Sequence, residues 1–171
     1  MLRGILVLFL LGVFAGCAKK LDLPEITISA AEVSAFTRFR AELGAEFPAE
    51  RLKDFDTAVQ ELKLDAMNRD VVSAEARELD MLGVVNGKTI HAATVLGWEA
   101  RRARFAREMA EINRLLETSL KQQQNAGANG PSSVTIARIQ SARNVLSQLE
   151  ANAAETDRRL VEMRVPRDQK P

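Results

Sequence analysis

The chain has 171 residues, with 24 Lys and Arg against 23 Asp and Glu, one His, one Cys and no Tyr. That balance gives no strong electrostatic attraction to nucleic acid or anionic lipid, and a single Cys excludes an internal disulfide. A chain of this length buries one core as a single domain, and few aromatics with much Ala, Leu, Glu and Arg favour helices over strands.

Met1 to Cys17 begins with one charged side chain, Arg3, followed by the apolar run Ile5 to Phe14 and then Ala15-Gly16-Cys17. About ten apolar residues are half of the roughly 20 that cross a bilayer as a helix. A basic start, a short apolar middle and small residues before a cut site make a secretory leader. From the residues alone, a leader with an incidental Cys and an uncleaved N-terminal anchor both remain open. Val13-Phe14-Ala15-Gly16-Cys17 resembles a bacterial lipoprotein signal. Phe14 departs from the Leu usual three places before the Cys. The resemblance implies a signal peptide over 1–16, removed before Cys17, and a lipidated Cys17 thiol at the new N-terminus. Acyl chains contribute about 0.8 kcal/mol per buried CH2, and the several chains of such an anchor make it effectively permanent. Ala18 follows the Cys where Asp would hold such a protein in the inner membrane. The resemblance therefore implies the outer membrane, facing the periplasm. Removing 1–16 takes away one Arg and no acid, leaving 23 charges of each sign.

Residues 17–28 contain Lys19, Lys20 and Pro24 and no helical period, which predicts a tether. Short helices are expected over 29–85. Ser29-Ala30-Ala31-Glu32 fits a capping box, Val33, Phe36, Phe39 and Leu43 give the first helix its apolar face, and Gly44 gives a left-handed stop. Pro48 opens a second helix, where Leu52, Phe55, Val59, Leu62 and Ala66 recur at steps of three and four. Asn68-Arg69-Asp70 ends it. A third helix over Val71 to Leu82, carrying Val72, Leu79 and Leu82, closes at Gly83.

Asn86-Gly87 is a turn signal and Thr89 an N-cap. From Ile90 to about Gln123 there is no Pro, and Gly97 is the only Gly. Trp98, Phe105, Met109, Ile112 and Leu116 share about 60° of the helix circumference. Such a helix is roughly 50 Å long and needs a partner. Residues 122–132 are polar and Gly-containing and predict a flexible loop. Ser133 caps a last helix running to Val165, before Pro166. Ile139, Ala142, Leu146, Leu149, Ala153, Thr156, Leu160 and Met163 alternate by three and four along it, a heptad pattern that implies a left-handed supercoil with the preceding helix. The expected fold is all-α: three short helices packed on a long antiparallel, coiled-coil-like hairpin over 86–165, with a disordered tail at 166–171.

Asn86-Gly87-Lys88-Thr89 opening an Arg- and Glu-rich helix resembles small uncharacterised helical lipoproteins of bacteria, over Val33 to Leu116 at most. That resemblance bears on location and fold, not on chemistry. Gly87-Lys88-Thr89 ends like a phosphate-binding loop, but Leu82 occupies the place of its first Gly and no strand precedes it. His91 is the only histidine, stands in the first turn of a helix and has no visible partner for base catalysis. Arg101, Arg102, Arg104 and Arg107 spread over more than about 200° of their helix, with Glu99, Glu108 and Glu111 in pairing range. They read as a solvated, ion-paired face and form the one possible partner surface. Trp98 reads as a core anchor, and Asp54, Asp56, Glu61 and Asp65 as a solvated acidic face.

No catalytic group, metal site or cofactor is expected. The function expected is a lipid-anchored, non-catalytic interaction or structural module of the cell envelope. Its expected partners are the membrane, through the lipid, and another envelope protein; nucleic acid is not among them. The alternatives are a carrier of apolar ligands between helices and an envelope hydrolase.

Overall fold

The computed structural model describes residues 22–127 and 130–165. The leader, Cys17 and the tail expected at 166–171 lie outside the described residues. Five helices follow a 3-10 turn at Leu23–Glu25: α1 Val33–Glu46, α2 Ala49–Asn68, α3 Ala74–Val85, α4 Ile90–Gln124 and α5 Ser133–Arg164. Among the described residues the extended pairing is one isolated antiparallel bridge, Thr27 to Thr89.

The helices with the clearest periods fold as their sequences predict. Leu52, Phe55, Val59, Leu62 and Ala66 of α2 are all buried. Asp70 ends that run in the left-handed region at φ 62°. The Thr89 hydroxyl caps α4 by accepting from the Ala92 amide at 3.1 Å. α4 has 35 residues and so spans about 52 Å. α5 returns antiparallel along it, with Arg102 near Asp157 and Arg164 bonded to Glu99. Ile139, Leu149, Thr156 and Leu160 of the α5 stripe are buried. The buried Thr156 hydroxyl donates to the Asn152 carbonyl at 2.8 Å, which satisfies it inside its own helix.

α2 packs along the first half of α4, while α3 lies against α2 and α1. Gly97 explains how close α2 comes. A β-carbon built there would collide with the Cα, Cβ and carbonyl O of Ala58. Gly inside a helix costs about 1 kcal/mol against Ala, and here it permits a backbone-to-backbone approach that no other residue allows. Next to this crossing Ala58, Trp98 and Leu160 form a small core shared by α2, α4 and α5. The main core lies on the other side and contains Ile28, Phe36, Phe55, Met81 and Val85.

Five local expectations are corrected. Residues 22–28, expected as part of the tether, are docked: Leu23 is buried and Ile28 is 0% exposed. The Ile28 amide donates to the Lys88 carbonyl, the Gly87 amide to the Ile28 carbonyl and the Ile90 amide to the Ile26 carbonyl, each at 2.8 Å. The capping box at Ser29 to Glu32 does not form. The Ala30 amide is taken by the Asn86 side chain at 3.0 Å, and α1 starts at Val33 with no side-chain cap. Gly44 is an ordinary helical residue, because α1 runs on to Glu46 and Pro48 forces Phe47 into an extended conformation. α3 starts at the Ser73 cap and ends at Val85, so Gly83 lies inside it. The core residues of α3 are Met81, Leu82 and Val85, while Val72 is 88% exposed and Leu79 half exposed. Ser132, one residue before the expected Ser133, caps α5.

Candidate functional site

Arg101, Arg102, Arg104 and Arg107 of α4 do not form one open surface. Arg101, Arg104 and Arg107 turn toward α2, and Arg102 turns toward α5. Arg104 is the centre of the group. Its Nε and one terminal nitrogen donate to the two oxygens of Glu61, both at 2.8 Å, and its other terminal nitrogen donates to Glu108 at 2.7 Å. Such a two-pronged guanidinium–carboxylate pair fixes geometry as well as charge. The guanidinium also lies 4.5 Å from the centre of the Phe105 ring. Hydrogen bonding to Glu61 raises the Arg104 pKa above its ordinary value; burial opposes this, and the bond to Glu108 adds to it.

Glu61 is the residue that sequence reasoning places wrongly. It is 6% exposed, within the face α2 turns to α4. Burying an isolated carboxylate costs far more than one helix contact returns, so such a group requires paired donors. Arg104 supplies them, and the Arg101 Nε lies 3.8 Å from the same carboxylate. The signal available in the sequence was positional. Glu61 falls three residues after Ala58 and four before Asp65, between the residues that meet Gly97 and Arg107. The Arg101 guanidinium lies 5.1 Å from the Trp98 ring and 5.4 Å from the Phe105 ring, while its buried Nε has no hydrogen-bond partner.

Two further carboxylates of α2, Asp56 and Asp65, are also engaged. Asp56 takes two bonds from Arg40 of α1, both at 2.5 Å, and this pairing raises the Arg40 pKa. Asp65 faces Arg107 and Arg69. The Arg69 pKa is raised, first by hydrogen bonding to Asp80 of α3. Trp98 is buried, and its Nε1 donates to the Asp54 carbonyl at 3.2 Å. His91 is exposed on the first turn of α4. The Gly87 and Lys88 backbone groups are bonded to Ile28, so the loop-like Gly87-Lys88-Thr89 stretch serves the docked N-terminal segment. Among the described residues no group of three or more His, Cys, Asp or Glu is placed to hold a metal ion.

Chemically, the layer is a set of charge-assisted clasps that fixes α2 on α4 and α5 on α4. Each clasp joins side chains of opposite sign. No family model matches this chain, and neither a curated protein nor a solved structure does.

Proposed function

We propose that the chain is a lipid-anchored, non-catalytic interaction or structural module of the bacterial cell envelope, attached through Cys17 to the outer membrane and facing the periplasm. Its mechanism is positional. The lipid fixes one end of the molecule, and the α4–α5 hairpin carries a protein-binding surface away from it.

The observation that carries this reading is where the first described residues dock. Ile26 and Ile28 bond to the turn and first residue of α4. The α4–α5 turn lies at the other end of the same 35-residue helix, about 50 Å away. Five residue steps from Cys17 to Asp22 span at most roughly 18 Å. The anchor therefore holds the α4 start close to the bilayer and leaves the hairpin tip distal. Opposed ends of this kind suit a spacer or presenter.

Fractionation of cells carrying Cys17→Ser tests the proposal. Release of the mature chain from the membrane fraction is expected. Persistence there with the leader removed would overturn it.

A further inference from the structure

The side of the α4–α5 hairpin that holds α2 continues past the end of α2 as an open groove of about 370 Å³, with Ile112, Leu115 and Ser119 on one wall and Arg138, Ala142 and Val145 on the other. Leu115 stands 11 residues beyond Arg104, which is three turns with an offset of about 20°. It therefore faces the side on which Arg104 holds Glu61. Val145 stands 18 residues before Met163, five whole turns, and Met163 packs on the Ala58–Trp98–Leu160 core. One continuous trough thus runs along the hairpin, filled by α2 up to Asn68 and empty beyond. The empty part is apolar: Leu115, Val145 and Val134, which lies on the same face, are 55, 40 and 57% exposed. Its charged wall residue, Arg138, makes no ion pair among the described residues.

We infer that this distal trough receives an amphipathic helix of a second protein, laid in line with α2, with an acidic side chain beside Arg138. The inference rests on the interaction-module reading and not on the lipid. The occupied half of the trough indicates the chemistry of the occupant. There a helix buries an apolar stripe and presents Glu61 and Asp65 to arginines. The walls extend along about 15 Å of α4, enough for three turns of a helix.

The test uses a fluorescent peptide with the sequence of residues 52–66, which carries the α2 stripe and its acids, added to the full chain in lipid nanodiscs. Saturable binding is expected, weakened at least tenfold by Leu115→Asp with Val145→Asp. Both positions are exposed, so an unchanged melting temperature shows that the variant folds. Arg138→Glu should weaken this peptide and strengthen one whose acids are replaced by Lys. Absence of saturable binding, or binding indifferent to these variants, overturns the inference. So does native mass spectrometry showing a dimer that Leu115→Asp dissociates. Failure here leaves the Cys17 fractionation result untouched, and the reverse holds.

Discussion

Gly97 of α4 and Ala58 of α2 bring two helix backbones into contact with no room for a side chain between them. Gly97→Ala must force the helices apart or displace Trp98, and overpacking of this kind costs about 1–3 kcal/mol. A drop of roughly 3–10 °C in melting temperature is expected. The same substitution at Gly83 provides the contrast. Gly83 lies inside α3, and a β-carbon there meets nothing within 4 Å. Gly83→Ala should therefore stabilise by about 0.5–1 kcal/mol through helix propensity alone. Two thermal melts check both signs.

Glu61→Ala removes the buried carboxylate and leaves the Arg104 fork without its two-oxygen acceptor. Loss of one partner from a fully buried pair costs more than loss of an exposed one. Arg104 keeps Glu108 and is about a quarter exposed, so a loss of about 1–3 kcal/mol is expected. The double variant Glu61→Ala with Arg104→Ala should lose less than the sum of the singles. The folded-state pKa of Arg104 is raised. Its contribution is thus complete below its unfolded value, far above neutral pH, and declines only as pH rises beyond that. The coupling measured by urea denaturation should be equal at pH 7 and pH 10.

Ile28→Ala should destabilise the fold by about 2–4 kcal/mol, because the side chain is fully buried. Asn86→Ala should cost about 1 kcal/mol through the lost bond to the Ala30 amide. If residues 22–30 served as a free spacer, both variants would melt like the parent.

Leu149→Asp places a charge in the α4–α5 seam, where the native side chain is 8% exposed, and should cost at least about 3 kcal/mol. Val161→Asp on the same helix changes a residue that is 64% exposed and should stay within about 0.5 kcal/mol of the parent. Urea midpoints compare the two directly.

Legibility followed the length of the repeat. The α2 and α5 stripes run for several turns, so one misplaced residue cannot hide the period, and every named α2 stripe residue is buried. α3 has 12 residues and apolar side chains on more than one side, which permits two faces. The sequence favours Val72, Leu79 and Leu82, whereas the fold buries Leu82 together with Met81 and Val85. Residues 22–30 were illegible for another reason. Their order depends on backbone bonds to residues about 60 positions away, and local pattern carries no trace of such partners. The arginines of α4 were read by their spacing to glutamates on the same helix. The acceptor that organises them sits on α2, at a position a charge seldom occupies.

The docking of the first described residues also bears on how the molecule meets tension. A pull on Asp22 meets first its ion pair with Arg51 of α2 and then three backbone bonds, from residues 26 and 28 to residues 87, 88 and 90. These join a short extended strip to a turn, whereas α4 and α5 hold each other along most of their length. Stretching would peel the strip away and expose Ile28 while the two long rods stayed together.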